Sequence, residues 1–260
     1  AEIASPRRLS ASDIALAAAM NAPRLSVHRK PVVHLIATGD ELVMPGGDPR
    51  PDQIIASNIF GLKALIEANG GTADILPITA DTKDALHATF TRAITADLIV
   101  TIGGASVGDH DLVGTVAAEL GLEQSFYKVA MRPGKPLMAG RVRGISMIGL
   151  PGNPVSAMVC GHVFVTPMVR AMLGQTQPSA KLHSAPLTTP LAPNGPRAHY
   201  MRAVMKDGIL APMGTRRAKP SGPSKFKHVD VPPEVAEAAA KAAADRKTAA
   251  LAALRRAEAQ

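Results

Sequence analysis

The chain has 260 residues, with 29 Lys/Arg against 21 Asp/Glu for a formal charge of +8. A composition that is 46% hydrophobic and 19% charged is that of a globular chain, and aromatic residues at 3% with no Trp leave few stacking groups for a nucleic acid. The basic excess is largely a tail property, since residues 216–260 carry 10 Lys/Arg against 5 Asp/Glu, so no nucleic-acid partner is expected.

In chain order, residues 1–30 read as a polar start with one short helix from Ser12 to Met20 and then an extended piece, too little for a domain of its own. From Pro31 to about residue 175, strand and helix signals alternate. Val32–Ala37 is a nearly unbroken apolar run, as in a strand covered on both faces. Ser57 is placed to cap a helix with Ile59, Leu62, Leu65 and Ile66 on one face, closed by Asn69-Gly70-Gly71. Ile75–Ile78 is a second strand, and its Pro77 predicts an edge position. Asp81–Asp84 has the form of a capping box before a helix through Leu86, Phe90 and Ile94. Asp97–Ile102 is a third strand. Asp111 is placed to cap a helix ending at Gly121, Phe126–Met131 is extended, and Ile145–Leu150 is another buried strand. Asn153-Pro154 supplies a cap and a first-turn proline for a long apolar helix that Pro167 should kink or end. This alternation predicts an α/β fold with a mostly parallel, doubly wound sheet. Residues 176–215 are turn-rich and read as a small β segment. Residues 216–260 form a divergent basic tail, Ala-rich and helix-prone over 232–257.

Cys160 stands alone, so no intrachain disulfide exists, and its apolar neighbours mark it as a buried small hydrophobe. His34, His87 and His162 lie in apolar or helical contexts and read as structural. No stretch reaches the length of a membrane span and no secretory signal is visible, which predicts a cytoplasmic location. The chain starts with Ala rather than Met, as a fragment or processed product would.

Ligands of open parallel sheets sit beyond the carboxyl ends of the strands. Four unusual segments fall there: Thr38-Gly39-Asp40-Glu41-Leu42, Gly103–Asp111, Met131–Pro136 and Leu150–Ser156. Each has two readings. Asp40-Glu41 is an ordinary turn or a carboxylate pair for Mg²⁺ beside a phosphate. Asp109 and Asp111 are helix caps or further Mg²⁺–phosphate groups in a Gly-rich loop. Asp81 reads locally as a cap. Arg132 and Lys135 are solvated charges or, with their backbone fixed by flanking prolines, cations for an oxyanion. Ser156 is a plain first-turn residue or lies where helix N–H groups receive an anion. Physical reasoning alone therefore yields a phosphate- and Mg²⁺-handling α/β domain without naming its substrate.

These segments, with Ser57-Asn58 and Asp81, resemble the molybdopterin molybdotransferase family of the bacterial MoeA proteins and the gephyrin E domain, over roughly residues 5–215. The Arg-Pro-Gly-Lys-Pro and Pro-Gly-Asn-Pro-Val-Ser segments separate it from the related molybdopterin adenylyltransferases. The resemblance implies insertion of molybdenum from molybdate into adenylylated molybdopterin with release of AMP, with Mg²⁺ as cofactor. It implies Glu41, Asp81, Asp109 and Asp111 as the acidic catalytic group, with Asp40, Glu41, Asp109 and Asp111 toward the metal. It implies substrate contacts from Thr38, Gly103, Gly104, Ser106, Arg132, Lys135, Asn153 and Ser156. It further implies a homodimer. The family's two N-terminal domains are represented here only by residues 1–30, so separately encoded domains or an adenylyltransferase partner are expected. Residues 195–202 resemble the start of the family's last β domain, and similarity stops after residue 215. The alternatives are a pterin-nucleotide-binding or assembly module without turnover, and an adenylyltransferase.

Overall fold

A computed structural model describes residues 8–104, 111–176, 179–180 and 183–213. The segment 1–30 contributes one helix, α1 (Ala11–Ala19), which starts one residue earlier than its sequence predicts. Ser10 is the reason: its hydroxyl accepts from Asp13 N while the Asp13 carboxylate accepts from Ser10 N, a reciprocal capping box. The chain then runs extended and is fastened by Arg29, whose guanidinium makes two 2.5 Å hydrogen bonds to the two carboxylate oxygens of Asp97. Asp97 also accepts from Val32 N at 2.8 Å, which ties this connection to the first strand.

The core is a six-stranded sheet. Its strands are β1 (Val32–Ala37), β4 (Thr72–Ile75), β5 (Leu98–Ile102), β6 (Leu122–Tyr127), β8 (Met138–Val142) and β9 (Ile145–Leu150); the short pieces β2 (Leu42–Val43), β3 (Ile54–Ile55) and β7 (Met131–Arg132) lie outside it. The order is β4-β1-β5-β9-β8-β6, with the first four parallel and β8 antiparallel to both its neighbours. β1, β5 and β9 are buried almost throughout, which accounts for their unbroken apolar runs. One face is covered by α2 (Asn58–Ala68), α5 (Pro154–Cys160) and α6 (Thr166–Met172), through residues such as Leu62, Ala157 and Val169. The other is covered by α3 (Lys83–Ala93) and α4 (Leu112–Glu119), through Leu86, Phe90 and Val116. Helices on both faces of a largely parallel sheet make the doubly wound arrangement that the alternation predicts.

Several local expectations change. β4 does lie at the sheet edge, but it ends at Ile75, before Pro77. Ser57 precedes α2 in a helical conformation and makes no side-chain cap. The cap of α3 is Thr82, whose hydroxyl accepts from Ala85 N, so Asp81 is left free of that duty. Pro167 does not end its helix. One π-type turn, Gly161–Val165, joins α5 to α6, widened by a bond from Thr166 N to Gly161 O, and the chain passes the proline ring within that distortion. The continuous helix Pro154–Met172 is, against the expectation from sequence, long and apolar enough to cross a bilayer by length and composition, but 67% of it is buried within this fold, as suits a core helix.

Beyond residue 175 the β-rich expectation is met by β10 (Ala198–His199) and by the hairpin of β11 (Ala203–Lys206) and β12 (Ile209–Pro212). The helix expected over 232–257 lies outside the described residues.

Candidate functional site

From β1 the chain crosses through α2 to β4 on one side, while β5 pairs with β1 on the other. The strand order therefore reverses between β1 and β5, and ligands of open α/β sheets bind in the crevice beyond the carboxyl ends at such a switch point. There the loops after β1 and β5 are in van der Waals contact. Thr38 N donates to Ile102 O at 3.2 Å. Gly103 has φ +90°, and a Cβ there would lie 2.8 Å from Thr38 O, so only glycine allows this approach. Gly104 follows against Val113 of α4. Gly152 sits on Gly103 from the loop after β9, and Asn58 Nδ2 donates to Gly152 O at 2.7 Å. Thr38, Gly103, Gly104 and Gly152 thus form one continuous rim.

Thr38 is 3% exposed, and its hydroxyl has no hydrogen-bond partner among the described residues. It lies where a Cβ on Gly104 would be 3.0 Å away. A second hydroxyl without a partner there, Thr101 Oγ1, is wholly buried on β5 beside Gly149.

The acidic loop occupies the β4 side of this rim. Gly39 N donates to Thr79 O at 3.3 Å, and Asp81 N donates to Asp40 Oδ1 at 3.2 Å. Asp40, Glu41 and Asp81 are brought together although Asp81 is some 40 positions distant in sequence, a |i−j| of 41 from Asp40. Partial burial of its carboxyl, then the charges of Asp40 and Glu41, push the Asp81 pKa up. A group of carboxylates that repel one another is relieved by a cation. Among the described residues no three His, Cys, Asp or Glu side chains close into a metal cage. Mg²⁺ seldom needs one, since it keeps waters and takes one or two carboxylates plus phosphate oxygens. The donor set suits that ion better than a closed transition-metal site.

Asp111 caps α4 as its sequence predicts, accepting from Gly114 N at 2.7 Å. Burial raises its pKa and the Gly114 bond opposes that rise. Ser106 and Asp109 lie outside the described residues.

At the N-terminus of α5, Asn153 is the cap. Its side-chain oxygen accepts from Val155 N at 3.1 Å, Ser156 N at 3.2 Å and Ser156 Oγ at 3.4 Å. The N–H groups of 155 and 156, which a bare helix start would offer to an anion, are occupied from within, and Ser156 is buried.

The cationic loop packs on the same helix. Gly134 has φ +106°, and a Cβ there would lie 2.5 Å from Cys160 Sγ, so the loop is pressed onto α5 four residues from Ser156, about 6 Å along the axis. Arg132 and Lys135 are exposed. Arg132 Nη2 donates to His199 Nδ1 at 2.7 Å. Among the described residues no hydrogen bond or ion pair joins either cation to Asp40, Glu41 or Asp81. Cys160 is fully buried, and burial pushes its thiol up to about 12, so it is packing material and not a nucleophile. His34 and His87 are occupied by Asp74 and Glu119, in keeping with structural roles.

Three participants are not evident as site residues from sequence: Asn58, whose amide reaches 94 positions to Gly152; Thr101, inside an apolar strand; and His199, 67 positions from Arg132. The family resemblance carried a signal for two of them, through Ser57-Asn58 and through residues 195–202, but not for Thr101.

Comparison with known proteins adds the family. The domain described as "Probable molybdopterin binding domain" matches residues 34–171. A molybdopterin molybdenumtransferase of Nostoc sp. is 39% identical over 171 residues, 64% of this chain and 39% of that protein. Molybdopterin molybdenumtransferase 2 of Mycobacterium tuberculosis is 37% identical over 201 residues, 74% of this chain and 49% of that protein. The crystal structure of a molybdopterin biosynthesis MoeA protein from Pyrococcus horikoshii superposes with a TM-score of 0.67 at 29% identity, covering 80% of this chain and 51% of that one. The chain spans about half the length of such relatives, or less.

Proposed function

The chain belongs to the molybdopterin-binding domain family, and on that premise we propose that it acts in molybdenum cofactor biosynthesis as a molybdopterin molybdotransferase. In this reading it binds adenylylated molybdopterin and molybdate, places molybdenum on the pterin dithiolene and releases AMP. What supports it is the rim: the loops after β1, β5 and β9 meet at Thr38, Gly103 and Gly152, Asp40 and Asp81 meet beside it, and the cationic loop packs on α5, the helix that follows Gly152.

Asp40, Glu41 and Asp81 would hold Mg²⁺ against the pyrophosphate of the bound adenylate, with Asp109 and Asp111 as further acidic groups. The ion, when bound, neutralises phosphate charge and favours departure of AMP. The chain's own groups bind and orient. Gly103 and Gly104 let the ligand approach the backbone, and Thr38 supplies a buried hydroxyl to it. Arg132 and Lys135 hold molybdate as a tetrahedral dianion, which is catalysis by placement. Asn153 and Ser156 act indirectly in this scheme, since their mutual hydrogen bonds fix the first turn of α5 beneath the loop. The enzyme works as a cytoplasmic homodimer in this reading.

The test is AMP release from adenylylated molybdopterin by the full chain with Mg²⁺ and molybdate, alone and with the N-terminal half of a longer relative. Release that needs molybdate supports the reading; none under either condition refutes it. A binding module without turnover is the second reading, since the matches cover only 39% and 49% of the relatives' own length. Tight binding of the nucleotide without AMP release selects it.

A further inference from the structure

Arg132 is held by a residue that lies beyond the family match, which ends at residue 171. Ala198 and His199 form β10, which pairs in parallel with Met131 and Arg132 of β7. Ala198 N donates to Ala130 O and Tyr200 N donates to Arg132 O, each at 2.8 Å. Met131 is 1% exposed, and Ala198 and Tyr200 pack against the same core cluster. This short ladder therefore fixes the backbone of the cationic loop from one side while Gly134 fixes it against Cys160 from the other.

Within the ladder His199 stands opposite Arg132 in register, and its Nδ1 takes the 2.7 Å hydrogen bond from Arg132 Nη2. A guanidinium only donates, so Nδ1 must be the unprotonated nitrogen and the ring proton sits on Nε2. Burial, then the charge of Arg132, lowers the His199 pKa, which keeps the ring in that accepting form. An arginine has five N–H donors in a rigid fork. With one given to His199, the others remain, and the orientation of the fork is restrained from that side.

We propose that His199 is a positioning residue of the cationic loop: by accepting from Nη2 it sets the guanidinium of Arg132 so that its remaining donors face a tetrahedral oxyanion. The inference rests on the reading above, in which this loop receives molybdate. It adds the segment following residue 175 to the machinery of the site.

The test compares Arg132→Ala, His199→Ala and His199→Asn in the full chain. The Asn side-chain oxygen can take the place of Nδ1 as acceptor. Molybdate titration by calorimetry is the primary readout, with the molybdate KM and kcat of AMP release and the thermal midpoint beside it. His199→Ala is expected to weaken molybdate binding about tenfold, within the usual range for coupled neighbours, with kcat at saturating molybdate and the thermal midpoint little changed. His199→Asn should recover most of the loss. Adding His199→Ala to Arg132→Ala should cost nothing more. If Arg132→Ala weakens binding and His199→Ala does not, the positioning role is wrong while the oxyanion loop stands. If His199→Ala lowers the thermal midpoint sharply and Asn fails to restore binding, the residue is merely structural and the proposal falls. If neither variant changes molybdate binding, or the wild type binds none, the reading of the loop falls with it.

Discussion

Replacing Thr38 with Val should make the protein more stable and its site weaker. The two side chains have nearly the same shape, so the change removes a hydroxyl and little else. That hydroxyl is 3% exposed as part of its residue and has no hydrogen-bond partner among the described residues. A buried polar group left unpaired costs roughly 1–3 kcal/mol. Taking the low end, Thr38→Val gains about 1 kcal/mol, which for a domain of this size raises the melting midpoint by about 2–4 °C. If the hydroxyl meets the pterin nucleotide, losing that contact costs about 0.5–1.5 kcal/mol of binding, or roughly 2- to 12-fold in affinity. Thr101→Val is the matched control: it removes the other partnerless hydroxyl near the crevice, and should raise the midpoint by a similar amount without touching affinity. The assay pairs thermal denaturation with titration of adenylylated molybdopterin. A lower midpoint for Thr38→Val would show the hydroxyl to be satisfied in the folded protein. A higher midpoint with unchanged affinity would remove Thr38 from the site.

Other perturbations separate the site from the scaffold. Asp81 has a raised pKa, so its ionised form is disfavoured by the fold; Asp81→Asn should stabilise the protein above the carboxylate range, and urea titrations should show the gain shrinking to nothing as pH falls below the unfolded value. The same variant should respond less than wild type to added Mg²⁺ in thermal melts. Asp97→Ala breaks the Arg29 and Val32 bonds in a residue only 9% exposed, and should cost roughly 3 kcal/mol in chemical denaturation while leaving ligand affinity of the folded protein intact. Gly103→Ala should abolish nucleotide binding, because its Cβ meets backbone at Thr38 O and not a side chain able to move; calorimetry showing wild-type affinity would contradict the close approach of these loops.

Much of the scaffold is legible in the sequence because the sheet is doubly covered. β1 and β9 match their apolar runs to the residue, since a strand buried on both faces has no polar alternation to blur its ends. The two caps that combine a side-chain acceptor with a clear start, Asp111 and Asn153, are legible for the same kind of local reason. Ser57 is not, because its backbone is already helical and its side chain makes no cap hydrogen bond. Pro167 does mark an irregularity, but its form, a π-type turn and not an end, is set by packing and not by local sequence. At the site, the motifs locate the loops but not what the side chains do. Ser156 lies where an anion could be received, yet Asn153 takes the N–H groups first. Asp40 and Asp81, or Arg132 and His199, meet only through tertiary pairing of segments 41 and 67 positions apart, which no local pattern encodes.

Calorimetric titration of the full chain with adenylylated molybdopterin in Mg²⁺ measures the rim most directly. Micromolar-range binding is expected, on the order of 8 kcal/mol, weakened by Asp81→Asn on the acidic side and by Gly103→Ala at the centre. Equal binding by all three proteins, or none by the wild type, would mean that the crevice between β1 and β5 does not hold the nucleotide.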